Sequence, residues 1–364
     1  MRLRTCKGSI TSALIGLVLA GLAGALLAAA PRAGALQRTQ ATVPDDPSFG
    51  QQWGLRNTGQ TVNGVKGTPG ADIHATAAWS VADDSHNVVI AELDSGVDYH
   101  HPDLAGSIWT NPGGIGGCPA GTHGFNLVAN NCDPMDDFGH GTQVAGVLGA
   151  VGDNGSGITG VAWRTTILPV KWTDAAGHGS TSRLVKALDK VLAVKAAGVN
   201  VRVVNDSPVF TGTGFSQALS NELDKLAANG ILFVTAAGNN KSNNDTSKKY
   251  PCDYGKPNEL CVAASEQHDR LAKFSNFGPT TVDLAAPGDN VFTTTLGGGD
   301  AFTKGTSFAA PLVAGTAALV LSVQDMTPSA LKARIVATVD PLASLAGKVR
   351  SGGRLDLCNA LPGC

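Results

Sequence analysis

The chain has 364 residues, of which 43% are hydrophobic and 15% are charged, and its net charge is −2. This length is enough to bury a large core, and the charged fraction is low for an intracellular protein. A net charge so close to zero excludes long-range attraction to nucleic acid or to anionic lipid.

The first 35 residues have the pattern of a secretory signal peptide. Arg2, Arg4 and Lys7 precede an apolar stretch over residues 10–30, and the small residues Ala33-Gly34-Ala35 follow it. This order predicts export to the periplasm or the medium, with cleavage after Ala35. An uncleaved membrane anchor is the alternative, because the apolar stretch is nearly long enough to span a bilayer. No later segment is expected to cross a membrane.

An apolar run that ends on an aspartate comes next, in residues 88–104, which read VVIAELDSGVDYHHPDL. The run predicts a strand over residues 88–93, and Ser95-Gly96 ends it directly after Asp94. A carboxylate at a strand end, on the rim of a sheet, can be held rigidly against a histidine ring. The alternative is an aspartate that only caps a turn.

Residues 137–150, which read DFGHGTQVAGVLGA, contain the second candidate residue. His140 lies between two glycines at the start of an apolar helix, so the backbone crowds its imidazole very little. A structural or surface histidine is the alternative.

Strand-like and helical segments alternate through the middle of the chain. We predict strands at residues 88–93, 166–171, 199–205 and 231–236, and helices at 181–197 and 215–229, each ended by a glycine. This alternation predicts a three-layer α/β fold with a mainly parallel central sheet and helices on both faces. Such sheets bind ligands at the carboxyl ends of their strands, where Asp94 and Asn239 both fall.

Residues 305–311, which read GTSFAAP, place Ser307 between small residues ahead of a long apolar helix. The positive end of a helix macrodipole favours a nucleophile there and the oxyanion that it creates. A serine that only caps the helix is the alternative. A catalytic triad needs a nucleophile, a base and a group that orients the base. Ser307, His140 and Asp94 fit these roles in the chain order Asp, His, Ser.

Two other hydrolase classes are excluded by the same sequence. An α/β-hydrolase needs a G-x-S-x-G segment and the order Ser, Asp, His, and no such segment occurs. A zinc protease of the H-E-x-x-H type is excluded because no His-Glu pair occurs.

The cysteines agree with export. Cys6 is lost with the signal peptide, and six remain in three local pairs. The pairing Cys118–Cys132, Cys252–Cys261 and Cys358–Cys364 is the simplest of the 15 that six cysteines allow. An even number of cysteines in an exported chain fits disulfide bonds formed in an oxidising compartment.

These segments, together with residues 233–239 (FVTAAGN), resemble the signature blocks of the subtilisin-like serine proteases, the subtilase family. The resemblance runs from about residue 47 to residue 361. It implies one subtilisin-like catalytic domain over residues 46–364, serine endopeptidase activity and no cofactor for the chemistry. It also implies protein or peptide substrates, and we expect a monomer. Asn239 would donate its side-chain amide to the oxyanion beside the backbone N–H of Ser307, unless it is only a turn residue.

The substrate-binding segment departs from the family pattern. Ser207, Ala237 and Gly238 would line the substrate pocket, but Ser207 is followed by Pro208 and Val209. Pro208 has no N–H to pair with a substrate strand, and Val209 cannot take the positive φ of a glycine. We therefore expect weakened binding of the substrate chain.

Glu92 is a second departure, at a strand position that the family fills with an aliphatic residue. It points to the same side as Asp94, so double ionisation would be disfavoured unless the strand end is open to solvent. Because of Glu92, Pro208 and Val209, the alternative function is an exported pseudo-protease or peptide-binding protein with impaired turnover.

Two further family features differ. A calcium-loop insertion between the Asp and His blocks is replaced here by residues 116–132, where we expect a disulfide bond to hold the loop in place of the metal. The sequence is compatible with another calcium site of the family, because Asp103 matches a ligand position and Asp153 and Asn154 could supply further oxygens. The alternative is that Asp103 only caps a turn. Only residues 36–45 separate the signal peptide from the enzyme-like region. The long pro-segment of the family is not seen between them, so we expect the enzyme to fold unaided or with a separate helper protein acting in trans.

Overall fold

The structure is a computed structural model, and it describes residues 41–207 and 214–364. Its strands are β1 (Thr61–Val62), β2 (Val65–Lys66), β3 (Asp84–Asp94), β4 (Phe125–Asn126), β5 (Arg164–Lys171), β6 (Val201–Asp206), β7 (Leu232–Ala236), β8 (Glu259–Ser265), β9 (Leu284–Pro287), β10 (Val291–Thr295), β11 (Gly299–Thr303), β12 (Asp340–Pro341) and β13 (Gly353–Arg354). Its α-helices are α1 (Ala75–Ala78), α2 (His140–Gly149), α3 (Thr181–Ala196), α4 (Gln217–Ala228), α5 (Thr306–Val323), α6 (Pro328–Ala337) and α7 (Leu357–Ala360). The predicted signal peptide and residues 36–40 lie outside the described residues, as do Pro208 and Val209.

Within the described residues, nine strands form one sheet in the order β12-β13-β9-β8-β7-β6-β3-β5-β4. All neighbours are parallel except β12 and β13. Strand β6 therefore lies between β3 and β7. The carboxyl ends of these three strands meet at one edge, because Leu93 is in register with Asp206 and Asp206 with Thr235.

The two faces of the sheet bury separate apolar clusters. Ile90 of β3 and Val203 of β6 pack with α2 and α5 on one face. Leu93 and Val204 pack with α3 and α4 on the other face. The alternation of side chains along each strand produces this division, and it confirms the predicted three-layer fold.

Helix α5 is the central helix of the core. Its mean hydropathy of 1.7 and its 18 residues would suit a membrane span, but 89% of it is buried inside the protein. A helix that is apolar on all sides belongs in the interior. It packs against β3, β6, β7, β8 and β9, and this position holds its N-terminus at the edge where those strands end.

The predicted strands and helices have the expected positions, with ends that coincide or are shifted by up to four residues. The later part of the sheet and the β10–β11 hairpin were not predicted. The hairpin leads directly into α5 and places Leu296 next to Gly139. The three cysteine pairs are joined as the sequence predicted: Cys118–Cys132, Cys252–Cys261 and Cys358–Cys364.

Candidate active site

Asp94 and His140 are in direct contact. Asp94 is the last residue of β3 and is 1% exposed. Its two carboxylate oxygens lie 2.8 and 2.9 Å from Nδ1 of His140, the first residue of α2. The backbone N–H of Ser95 also donates to Oδ1 of Asp94, at 2.7 Å. With the Nδ1 proton directed at the carboxylate, Nε2 is the nitrogen that can accept a proton.

The glycines around His140 permit this contact. Gly139 has φ +101°, which favours glycine, and a Cβ on Gly141 would lie 2.0 Å from the carbonyl oxygen of Gly96. Any side chain at position 141 would therefore push α2 away from β3. The sequence indicated little crowding around the imidazole, and the close packing of Gly141 shows how α2 approaches the strand.

Asp136 holds the start of α2 in place, and the sequence analysis missed it. Its carboxylate accepts from the backbone N–H groups of Phe138, Gly139 and Thr142 at 2.8–3.0 Å. It also accepts from the hydroxyl of Ser95 at 2.8 Å. The N-cap position itself is Gly139, three residues after Asp136, so the sequence carried no ordinary capping signal for this aspartate. Asp136 thereby links the turn after Asp94 to the helix that carries His140.

Ser307 is the second residue of α5 and is buried. Its backbone N–H has no intrahelical acceptor at this position, so it is available to a ligand. Its hydroxyl donates to the carbonyl oxygen of Ser207 at 3.0 Å rather than to His140. The ring of the next residue, Phe308, lies 5.5 Å from the imidazole of His140. The start of α5 therefore packs against His140 through Phe308, while the hydroxyl of Ser307 is turned to Ser207. Catalytic hydrogen bonds are often loose before substrate binds.

Asn239 lies three residues beyond the end of β7, opposite the N-terminus of α5. Its Oδ1 accepts from the backbone N–H of Thr306 at 2.9 Å and from the Thr306 hydroxyl at 3.0 Å. These two bonds fix the amide, and its Nδ2 has no partner within the described part of the chain. A Cβ on Gly305 would lie 3.5 Å from that nitrogen. Thr306 was not identified from the sequence, although it precedes the candidate nucleophile directly.

The environment of His140 acts on its pKa in two directions. Burial by itself lowers the pKa, whereas the charge of Asp94, its hydrogen bond and the charge of Asp136 raise it. The net pKa lies above the ordinary value of 6.5. An ion pair with a buried carboxylate stabilises the protonated imidazole, which is the form that exists after proton transfer from a serine.

Two more carboxyl groups are buried near Asp94. Glu92 is 1% exposed, so the solvated strand end that we considered for it is wrong. Burial, followed by the charges of Asp94 and Asp136, raises the pKa of Glu92 well above its usual range. Asp206 on β6 is also fully buried, and burial and the Asp94 charge raise its pKa, while a hydrogen bond with Trp172 lowers it.

The predicted substrate-binding residues are buried where they are described. Ser207, Ala237 and Gly238 all lie in the interior at the edge of the sheet. The hydroxyl of Ser207 donates to the carbonyl oxygen of Ser307 at 3.0 Å. Pro208 and Val209 lie outside the described residues, so the expected effect on substrate binding remains a prediction.

The residues expected to bind calcium lie close together. Asp103 accepts from the side chain of Asn154 at 3.1 Å and from the backbone N–H of Ile158 at 2.7 Å. The backbone N–H of Asp153 donates to Asp46 at 2.8 Å. Burial, with the Asp103 charge, raises the pKa of Asp46 to about 6 although backbone hydrogen bonds lower it. The Oδ1 atom of Asp46 is buried without a hydrogen-bond partner.

These carboxylates are candidate ligands for a cation, although they are not among the described side chains whose three ligand atoms lie within 4.8 Å of one another. Asp46, Asp103 and Asp153 form no ion pair with a Lys, Arg or His among the residues that the structure describes. Carboxylate oxygens of this kind are the ligands that Ca²⁺ prefers. Asp46 was missed because it precedes the motif segments used in the sequence analysis and lies in a stretch with no helix or strand pattern.

A different group, His74, Asp340 and Asp356, has three potential metal-ligand atoms within 4.8 Å of one another. Nδ1 of His74 lies 2.9 Å from Asp356, and Arg354 pairs with Asp340. Each carboxylate of this group already has a basic partner, Arg354 for Asp340 and His74 for Asp356, so the group is an ion-pair cluster.

Comparison with known proteins gives a consistent result. The model of the Subtilase family matches residues 85–353. The chain is 34% identical over 322 residues to a thermophilic serine proteinase from Bacillus sp. (strain AK1), covering 88% of this chain and 70% of that protein. It is 33% identical to thermitase from Thermoactinomyces vulgaris, covering 79% of this chain and 93% of that protein.

Solved structures also match. A protease from Pseudoalteromonas arctica PAMC 21717 superposes with a TM-score of 0.70 at 26% identity, covering 87% of this chain and 98% of that one. A cold-adapted subtilisin-like serine proteinase superposes with a TM-score of 0.62, also at 26% identity, covering 82% and 97%. Asp94, His140, Asn239 and Ser307 all lie inside the segment that the family model matches.

Proposed function

The chain belongs to the subtilase family and is a serine endopeptidase, and we propose that Asp94, His140 and Ser307 are its catalytic triad. The contact of both Asp94 oxygens with Nδ1 of His140, at 2.8 and 2.9 Å, carries the proposal. It holds the imidazole in the tautomer that a general base needs. Protein or peptide chains are the substrates.

The first step forms an acyl-enzyme. The hydroxyl of Ser307 turns from the carbonyl of Ser207 towards Nε2 of His140, and Oγ attacks the peptide carbonyl carbon while its proton passes to Nε2. The C–N bond then breaks, and His140 gives that proton to the departing amine. Water attacks the ester by the same route, so Ser307 recovers its proton and the carboxylic acid product leaves.

The oxyanion of each tetrahedral intermediate is bound by two donors. These are the unpaired Nδ2 of Asn239 and the backbone N–H of Ser307, which has no intrahelical acceptor. Thr306 positions Asn239 through two hydrogen bonds. Donors that are already fixed in place do not need to reorganise as the charge develops.

We further propose that Asp46, Asp103 and Asp153 hold a structural calcium ion. Asn154 supports Asp103 through its side-chain amide. The ion would join the N-terminal segment to the loop after α2, and it would take no part in the chemistry. The candidate active site and this cluster share no residue.

Export is the third part of the proposal, and it rests on the sequence of residues 1–35 and on the three disulfide bonds. Disulfide bonds persist in oxidising compartments. Sequencing the N-terminus of the protein recovered from the culture medium or periplasm should find Leu36 first. Retention of Met1 in a membrane fraction would contradict cleavage.

A fluorophosphonate probe tests the triad directly. It should label the wild type at Ser307, and Ser307→Ala should be neither labelled nor active on a casein substrate. Ser322→Ala is the matched control, because Ser322 lies in the same helix and donates only to Leu319. Labelling of Ser307→Ala would overturn the assignment. Labelling of the wild type without hydrolysis would indicate the impaired substrate binding expected from Pro208 and Val209.

A further inference from the structure

Glu92 and Asn205 are neighbours in the interior of the sheet. They are in register on the parallel strands β3 and β6, so their side chains lie on the same face at a backbone spacing of about 4.8 Å. Glu92 is 1% exposed and Asn205 is 0% exposed. On its other side Glu92 is in register with Pro169 of β5, which carries no side-chain donor.

Among the residues that the structure describes, three acceptor atoms in this place have no hydrogen-bond partner. They are both carboxyl oxygens of Glu92 and Oδ1 of Asn205. A buried polar atom without a partner has lost its hydration and gained no hydrogen bond in return, which is unfavourable. Because Glu92 and Asn205 are adjacent across the two strands, a proton on the Glu92 carboxyl group would supply Oδ1 of Asn205 with a donor.

The orientation of the Asn205 amide is fixed by its other contact. Its Nδ2 donates to Oγ of Ser207 at 2.9 Å, and the hydroxyl of Ser207 donates its own proton to the carbonyl oxygen of Ser307 at 3.0 Å. Because Ser207 has no second proton, a reversed amide would lose this bond. Oδ1 of Asn205 must therefore face away from Ser207 and needs a donor elsewhere.

We infer that Glu92 is a protonated positioning residue that donates its carboxyl proton to Oδ1 of Asn205. A hydrogen-bond chain then runs from Glu92 through Asn205 and Ser207 to the backbone of Ser307. Each residue along it donates to the next, so every hydrogen bond has its own proton. This hydrogen-bond chain joins the interior of β3 to the segment that carries the nucleophile. The inference rests on the proposed role of Ser307 and extends it.

The charges around Glu92 agree with the neutral form. The groups that act on it are Asp94, on its own strand, and Asp136, from the loop before α2, and both are negative. Asn205, from β6, and Pro169, from β5, carry no charge. An ionised Glu92 would be a buried carboxylate with no donor and two repelling neighbours, which is disfavoured by burial and by like charge together.

The chain explains why a glutamate is tolerated in an apolar position. A buried carboxyl group that is neutral and hydrogen-bonded behaves as a polar link and not as an isolated charge. Since Ser207 also accepts from the hydroxyl of Ser307 through its carbonyl, a shift of Asn205 or Ser207 would move the nucleophile.

Two substitutions of Glu92 test whether it acts as a hydrogen-bond donor, as a charge or only through packing. Glu92→Gln keeps a donor for Oδ1 of Asn205, whereas Glu92→Met keeps the length of the side chain without a donor. We expect the rate of fluorophosphonate labelling at Ser307 to stay within about threefold in Glu92→Gln and to fall about tenfold in Glu92→Met, because one buried hydrogen bond is lost and one acceptor is left unpaired. Glu222→Met, in α4, is the control and should label at the wild-type rate.

The protonation state is measured separately. The infrared spectrum of the wild type at pH 7 should contain a carbonyl band of a protonated carboxylic acid that is absent from Glu92→Gln. It should persist above the usual titration range of a glutamate, because burial and then the charges of Asp94 and Asp136 raise the pKa of Glu92. This measurement does not require Glu92→Met to fold or Ser307 to react.

Three results would overturn the inference: equal labelling rates in all three proteins, a loss in Glu92→Gln as large as in Glu92→Met, or no acid band that depends on Glu92. If the wild type itself did not react with the probe, the proposed triad would fail, and the infrared band would still decide whether Glu92 holds the proton.

Discussion

The hydroxyl groups of Ser207 and Ser307 each donate to the carbonyl oxygen of the other residue, and both hydrogen bonds are 3.0 Å long. This reciprocal pair joins the end of β6 to the start of α5. It holds the backbone of Ser307, the proposed nucleophile, and gives the Ser307 hydroxyl an acceptor in the absence of substrate.

Ser207→Ala removes one of these two bonds, the one to the carbonyl of Ser307. We expect kcat to fall about tenfold, because a net loss of about 1.4 kcal/mol in a buried hydrogen bond corresponds to that factor. Steady-state kinetics on a peptide substrate measures it. Ser322→Ala should leave kcat unchanged, and an unaltered kcat in Ser207→Ala would show that this bond does not position Ser307.

Asn239→Ala removes the free amide donor opposite the N-terminus of α5. The expected loss in kcat is about 10²–10³-fold, the range measured for an oxyanion donor in subtilisin, a member of the same family. KM should change little, since the donor acts on the developing charge. Asn240→Ala is the neighbouring control. A loss confined to KM would mean that Asn239 binds substrate instead.

The pH dependence of kcat/KM tests the pair Asp94 and His140. Only the neutral imidazole accepts the proton of Ser307, so activity should rise with pH through a midpoint above 6.5, because the charge of Asp94 outweighs burial and raises the pKa of His140. In Asp94→Asn the midpoint should move to lower pH. The rate should also fall by about 10⁴, as for the same change in another serine protease. A midpoint that stays in place would refute the coupling.

Glu259 makes the stability of the fold depend on pH. Burial raises its pKa from 4.5 to about 8, against the opposing effects of the Lys256 N–H and the Lys332 charge. A raised folded-state pKa contributes stability that is complete below the unfolded pKa near 4.5 and is lost as the pH rises to about 8. In that window the free energy of unfolding should fall by up to about 1.4 kcal/mol per pH unit.

Glu259→Gln should flatten this decline, as urea unfolding at several pH values would measure. Glu266→Gln is the matched control: ion pairing with Arg270 and His268 lowers the pKa of Glu266 despite burial, so Glu266 is ionised across this window. Equal slopes in the wild type and Glu259→Gln would contradict the assignment.

Removal of calcium tests the cluster of Asp46, Asp103 and Asp153. A ligand at 100 times its Kd stabilises the folded state by about 2.7 kcal/mol, so adding a chelator should lower Tm by about 5 °C. Asp46→Asn should abolish that difference. Asp340→Asn, at the His74 cluster, is the control: its Tm should still fall when chelator is added, whatever the substitution itself does to Tm. A wild type whose Tm is indifferent to chelator would exclude the site.

Much of the fold could be predicted because its strands and helices are regular. The apolar stripe of α3 and the glycine after it led to a predicted helix at residues 181–197, and the structure has it at Thr181–Ala196. The strands of the second half of the sheet are shorter and contain many alanines, so their periodicity is weak. The contact between Asp94 and His140 was expected from the chain order of three segments, whereas the roles of Asp136 and Thr306 could not be recognised before their partners were seen.

The sequence by itself determined the family, the order of Asp94, His140 and Ser307, and the three cysteine pairs, because each depends on residues that are adjacent or close in the chain. Only the tertiary structure decided that Glu92 is sealed from solvent and that Asn205 faces it. Those two residues are 113 positions apart in the sequence, and parallel strands are brought into register by their crossover connections. Burial and hydrogen-bond direction are properties of that arrangement, so no local pattern of residues could reveal them.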